Sequence, residues 1–231
     1  MRERGVAFFS GGKDGLYALY LAEKEGIEVP YLLTLKTSIG LSPHWENLSS
    51  LKALAENMGK KLLTFDMKYG SKALAEFISS LDVDYIIAGD VFLEDHLKWI
   101  NLLAEKAGIK SFEPLWGKNT LELAKEMLNA GFKYSIIAVD KNKLEKTWLG
   151  YTFSSTRDIE IFIYENPTID PLGEGGEFHT ITLSSPLFKD EFTLEKISVE
   201  ESERYWWMRF RVVGNDIKNV RVKGHNSRKD G

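Results

Sequence analysis

Residues 8–23, FFSGGKDGLYALYLAE, join an apolar run to an amphipathic stretch through two adjacent glycines, a lysine and an aspartate. Residues 6–9 form the apolar run, closed by Ser10, Gly11 and Gly12, which is the pattern of a buried strand ending in a turn. Leu16, Leu19, Tyr20 and Glu23 then follow helical spacing, and Gly26 stands where such a helix stops. The unit is strand, glycine loop, helix. Glycines let the backbone approach a ligand without interference from Cβ, and the start of the helix offers unbonded N–H groups at the positive end of its dipole. Lys13 adds a mobile cation, while Asp14 is placed either to cap the helix or to hold a magnesium ion against phosphates. The loop therefore suits a pyrophosphate.

Two other anion loops fail here. A P-loop requires a glycine where this chain has Ala7 and a hydroxyl residue where it has Asp14. The dinucleotide fingerprint requires glycines at a spacing that Gly11, Gly12 and Gly15 do not have.

Outward from the loop, apolar runs and helical periodicities alternate. Strand-like runs at 31–35, 62–65, 85–88 and 134–139 are separated by helical stretches, the first with a core face of Leu48, Leu51, Leu54, Ala55 and Met58, the others near 71–81, 93–107 and 120–129. Such alternation predicts a doubly wound, mostly parallel sheet with helices on both faces. Beyond Asp140 the rhythm changes: 179–183, 192–199 and 205–213 read as strands separated by turns, and 158–164 sits where a helix is expected despite its β-branched and aromatic residues. The expected organisation is α/β, with a nucleotide-binding domain over 1–140 and a smaller β-rich region over 141–231. The basic stretch KNVRVKGHNSRKDG at 218–231 reads as a solvated tail.

Composition narrows the function. The 231 residues, 43% hydrophobic and 28% charged, lie outside the disordered class and suffice for a sizeable core. No apolar run approaches the ~20 residues of a membrane span, and the first strand begins within a few residues of Met1, so a cytoplasmic protein without membrane attachment is expected. A net charge of -4 weighs against stable nucleic-acid binding. With no cysteine, disulfides, thiolate zinc sites and cysteine nucleophiles are excluded.

A second stretch, DPLGEGGEFHT at 170–180, sets Glu174 and Glu177 on either side of a glycine pair. The carboxylates can bind a cation, orient an ammonium or serve as a base; a plain turn entering the strand at His179 fits the same spacing.

The segment SGGKDG resembles the PP-loop of the N-type ATP pyrophosphatases, which cleave ATP between its α and β phosphates, except that Gly15 stands where that family has Ser or Thr. Together with EGGEFHT, AGDVFLEDHLKW at 88–99 and PLWGK at 114–118, the chain is similar to the diphthine-ammonia ligase family over most of residues 5–190. That resemblance implies a Rossmann-like fold of the PP-loop (HUP) type. It also implies an enzyme that uses ATP and ammonium to amidate diphthine, the modified histidine of translation elongation factor 2, releasing AMP and pyrophosphate through an acyl-adenylate.

On that reading Ser10, Gly11, Gly12 and Gly15 hold the nucleotide, Lys13 offsets charge on the bridging oxygens, and Asp14 places magnesium. Thr34 and Leu35 end the second strand and Gly89 and Asp90 end the run at 85–88, which assigns them to the ATP pocket because doubly wound sheets bind ligands at carboxyl strand ends. Glu174 or Glu177 takes a proton from ammonium, with Gly175, Gly176, His179 and Thr180 lining the acceptor site. His96 reads as a packed or solvated histidine, since no second ligand lies at metal spacing. Glu94 and Lys98 form an ordinary helix-surface pair. Alternatives are a tRNA-modifying enzyme of the same loop class and a nucleotide-binding module without catalysis. Oligomeric state stays open, with a homo-oligomer as one possibility.

Overall fold

The structure is a computed structural model that describes residues 2–37 and 43–214; the basic stretch at 218–231 lies outside the described residues. Strands β1 (Arg4–Phe8), β2 (Glu28–Lys36), β3 (Lys61–Asp66), β4 (Tyr85–Ile87) and β5 (Lys110–Phe112) form a five-stranded sheet in the order β3-β2-β1-β4-β5. Every pairing in it is parallel. Between them run α1 (Lys13–Lys24), α2 (Pro43–Glu46), α3 (Leu48–Asn57), α4 (Gly70–Ser79) and α5 (Glu94–Ala107).

The alternation of side chains along the strands sends neighbours to opposite faces. Val6, Leu33 and Ile86 pack with α4 and α5, whereas Ala7, Leu32 and Ile87 pack with α1 and α3. Parallel strands covered on both faces need apolar residues at successive positions, which is why these segments read as unbroken apolar runs. Helix α1 buries Leu16, Ala18, Leu19 and Ala22, and each large side chain removed from water contributes roughly 1.5–3 kcal/mol.

The chain continues through α6 (Thr120–Asn129), β6 (Lys133–Asp140), β7 (Thr152–Phe153), α7 (Thr156–Glu165), β8 (Phe178–Ser184), β9 (Phe192–Glu201) and β10 (Tyr205–Gly214). The last five strands form a second, antiparallel sheet, β7-β6-β10-β9, with β8 also paired to β6. The stretch 158–164 is indeed helical. Asp158 accepts from the backbone and hydroxyl of Ser155, closing a capping box that fixes the start of α7.

One sequence expectation changes. The run at 134–139 is not a further parallel strand of the first sheet; as β6, which ends at Asp140, it lies at the centre of the second. The two sheets share one core, in which α1 residues meet Ile136, Ile181 and Phe210. The second sheet also reaches the glycine loop directly, since the Thr182 amide donates to the Gly11 carbonyl at 2.8 Å.

Candidate active site

The order β3-β2-β1-β4-β5 reverses direction at β1, and a crevice opens beyond the carboxyl ends of β1 and β4. The glycine loop leaves β1 there, and residues 88–93 leave β4. Gly89 permits their approach. A Cβ on it would lie 2.6 Å from the Asp14 carbonyl carbon and 2.7 Å from the Gly15 nitrogen, so only a glycine lets the end of β4 touch the first turn of α1.

Gly11 has φ +74°, and a Cβ on it would strike Ile181 and Leu51 at 2.6 and 2.7 Å. Its absent side chain is thus a packing requirement as well as a conformational one. Gly12 precedes α1 with no side-chain cap, so Asp14 does not cap the helix. The Gly12 amide reaches Ser10 Oγ at 3.4 Å and the Lys13 amide donates to Thr180 Oγ1 at 3.2 Å. The next amides, of Asp14 and Gly15, belong to the first helical turn and have no partner within the helix.

Lys13 departs from expectation. It is 2% exposed, and its ammonium donates to Asp14 Oδ2 at 2.7 Å and to the Leu172 carbonyl at 2.6 Å. The residue read as a mobile cation is a fixed one that ties the start of α1 to the second glycine loop. Asp14 Oδ1 is buried without a partner. Burial pushes the Asp14 carboxyl up against the lowering influence of Lys13.

Two cavities flank the loop. The first, ≈ 330 Å³, lies over the carboxyl end of the parallel sheet, is walled by Phe8, Leu33, Trp99 and Ile100, and includes Thr34, Leu35, Gly89 and Asp90 among its lining residues. Its size suits a small organic ligand. The Thr34 hydroxyl is spent on the Phe9 carbonyl at 2.7 Å, so Thr34 shapes the wall rather than offering a donor. Asp90 holds His96 Nδ1 at 3.0 Å, which raises the histidine's pKa. His96 is solvated, as expected, with 62% of its side chain exposed, and it also lines the first cavity. Nearby, burial and then the charge of Asp90 push Glu113 up to about 7, and both its carboxylate oxygens are buried without partners.

The second cavity, ≈ 220 Å³, lies between the glycine loop and residues 172–180 and is lined by Lys13, Glu174, Gly176, His179 and Thr180. Ser10, Gly12, Asp14 and His44 line both cavities. The two glycine motifs, some 160 residues apart in sequence, thus meet at one junction.

The paired glutamates diverge. Glu174 faces the second cavity, where burial and then Asp14 raise it to about 8. Glu177 turns to Lys143, 3.4 Å from its Oε1, and is buried outside that lining. Gly176, at φ +75°, makes the turn between them. Its carbonyl accepts from the Tyr205 hydroxyl at 3.0 Å, and the Gly175 carbonyl accepts from Lys143 Nζ at 2.9 Å, so Gly175 serves the loop's shape rather than the cavity wall.

His44, Trp99 and Glu113 were not singled out by sequence. His44 lies in the one-turn helix α2, and its ring packs edge-on against His179 with centroids 5.5 Å apart. Burial is the largest cause lowering both, His44 to about 3 and His179 to about 4, so both imidazoles are neutral.

Among the described residues no cluster of three or more His, Asp and Glu side chains could hold a metal ion. The orphaned Asp14 Oδ1 beside the first cavity fits the single carboxylate that magnesium uses when phosphates and water supply its other ligands.

Comparison with known proteins adds the following. Residues 3–111 match the diphthamide synthase N-terminal domain and residues 119–220 match the diphthamide synthase C-terminal domain. The diphthine–ammonia ligase of Schizosaccharomyces pombe is 24% identical over 85% of this chain and 37% of its own length. That of Homo sapiens is 28% identical over 53% of this chain and 44% of its own. The chain thus spans less than half the length of these curated relatives. A 4-thiouridine synthetase, solved as an RNA complex with bound ATP, overlays 79% of this chain and 55% of its own at 12% identity with a TM-score of 0.43. The fold assignment stands on strand order, not on that overlay. No described helix is long and apolar enough to cross a membrane.

Proposed function

The chain belongs to the diphthamide synthase family, and from that premise we propose that it amidates diphthine on translation elongation factor 2, using ATP and ammonium and releasing AMP and pyrophosphate. The observation that carries the reading is the junction at Ser10, Gly12, Asp14 and His44, where a nucleotide-sized cavity and an acid-lined cavity share walls. Amidation of a carboxylate needs two sites in contact, one that activates and one that delivers the nucleophile.

ATP lies in the first cavity with its base against Phe8, Leu33 and Trp99 and its phosphates at residues 10–15. Attack of the substrate carboxylate on the α-phosphate forms an acyl-adenylate and expels pyrophosphate. Amides at the start of α1 and the Ser10 hydroxyl bind the departing charge, and buried Lys13 adds a fixed positive charge behind them. Asp14 would hold magnesium, which supplies charge neutralisation on the phosphates.

The acyl group extends into the second cavity, where Glu174 takes a proton from ammonium. Raised to about 8, Glu174 is mostly protonated at neutral pH; its ionised fraction, which grows toward pH 8, is a stronger base than an ordinary glutamate and takes the proton. Glu177, paired with Lys143, orders the loop instead. The geometry supports assigning the proton transfer to Glu174 rather than to Glu177.

The test is reconstitution with ATP, magnesium, ammonium and diphthine-bearing elongation factor 2. The expected result is one AMP and one pyrophosphate per amide formed. AMP release driven by tRNA, without amidation, contradicts the proposal.

A further inference from the structure

The proton balance of amide formation leaves one proton without a destination. Resting on the function proposed above, an acyl-adenylate and ammonium give an amide, AMP and two protons. The nitrogen lone pair forms the new C–N bond, the C–O bond to AMP breaks with its electrons leaving on the phosphate, and two of the four N–H protons depart. Glu174 accepts the first, which frees ammonia. The second leaves the cationic nitrogen after attack, and a carboxyl already protonated cannot take it.

The structure supplies a second acceptor at the right junction. His44 lines both cavities, and the loop residues Ser10 and Gly12 line them with it. Its Nδ1 is buried with no hydrogen-bond partner, and the Ser10 backbone beside the ring acts to raise its pKa against the larger effect of burial. Among the described residues nothing engages Nδ1 as a donor, so it is the ring nitrogen left to present a lone pair. The edge-on His179 ring holds the imidazole on its other side, with planes 84° apart.

We propose that His44 Nδ1 accepts the second proton as the tetrahedral adduct collapses to amide and AMP, which makes His44 a catalytic residue at the boundary of the two cavities. Burial lowers His44 to about 3, which leaves the lone pair free but makes the imidazole a weak base until an anion lies beside it. The anionic phosphate at Ser10 and Gly12 favours the imidazolium once formed, because an opposite charge within a few ångströms stabilises the charged form.

His44→Gln tests the assignment, because a glutamine amide can keep a donor toward the Ser10 backbone while removing the basic nitrogen. Three rates are measured on the full chain with diphthine-bearing elongation factor 2: substrate-dependent exchange of pyrophosphate into ATP, amide formation from ammonium, and hydroxamate formation from hydroxylamine. The hydroxylamine adduct is a stronger acid and gives its proton to water unaided. The variant should keep exchange and hydroxamate formation within a few-fold of wild type while amide formation falls on the order of 100-fold or more. Equal loss of all three rates would make His44 a prop of the loop and overturn the assignment, as would unchanged amide formation. Wild-type protein that shows no exchange at all would instead overturn the functional reading, and the role of His44 with it.

Discussion

Replacing Gly89 with alanine probes the contact that builds the crevice. The added Cβ would lie 2.6 Å from the Asp14 carbonyl carbon, 2.7 Å from the Asp14 carbonyl oxygen and 2.7 Å from the Gly15 nitrogen. All three are backbone atoms of the first turn of α1, so no side-chain rotation relieves them. Ordinary contact needs 3.4 Å, and the end of β4 and the start of α1 must therefore part by about 0.8 Å. Forcing such a shift in packed structure costs roughly 1–3 kcal/mol. A displacement of that size also carries the amides of α1 beyond hydrogen-bond reach of a phosphate placed for the native geometry. Gly108→Ala is the control: it lies at φ +74° with nothing within 4 Å of a Cβ, so it loses a comparable ~1–2 kcal/mol to backbone strain alone. Urea unfolding and ATP titration calorimetry on both variants separate the effects. The midpoint should fall in both, and ATP affinity should fall about tenfold or more in Gly89→Ala only. Wild-type ATP affinity in a destabilised Gly89→Ala protein would refute the placement of phosphates at the start of α1.

Lys13→Ala should reduce ATP turnover by about 100-fold or more, because a buried cation is lost where negative charge accumulates; AMP release at the wild-type rate contradicts that role. Glu174 has its folded pKa raised from 4.5 to about 8, so folding favours its protonated form, and its stabilising contribution is full below 4.5 and lost as pH rises through 8. Thermal unfolding from pH 5 to 9 should show wild type losing stability relative to Glu174→Gln across that window; parallel curves would refute the burial of that carboxyl. Gly15→Ser restores the family's hydroxyl in a position where a Cβ meets only the Phe8 carbonyl oxygen, at 3.2 Å. It should leave stability within ~0.5 kcal/mol or slightly raise it, since serine is the better helix residue, and should tighten ATP binding, as read by urea unfolding and calorimetry. Weaker ATP binding in Gly15→Ser would contradict the phosphate site.

Much of this arrangement could be read from sequence because its determinants are local. Gly11 and Gly12 between an apolar run and a helical period mark β1, the loop and α1 without help from the rest of the chain. The destination of β6 is different. Residues 134–139 are apolar except for Ser135, a pattern that suits a parallel or an antiparallel neighbour alike, and pairing with β8 and β10 decides the matter from far along the chain. Lys13 looked mobile because its main anchor, the Leu172 carbonyl, comes from 159 residues away. Glu174 and Glu177 have nearly the same sequence surroundings, and only the positive φ of Gly176 and the reach of Lys143 send them apart. His44 carries no motif at all; it became visible when α2 set it beside Ser10 and His179. The second pairing of Asp90 with His96 had a weak local signal, a carboxylate six residues before a histidine across a helix start.

The central claim is that ATP lies with its phosphates on residues 10–15 and its α-phosphate facing Glu174 and His44. A crystal structure with an ATP analogue that resists cleavage between the α and β phosphates tests it most directly. The account predicts β and γ phosphates within hydrogen-bond distance of the amides at the start of α1, and the base in the cavity walled by Phe8, Leu33 and Trp99. An analogue bound elsewhere, with residues 10–15 contacting no phosphate, would contradict it.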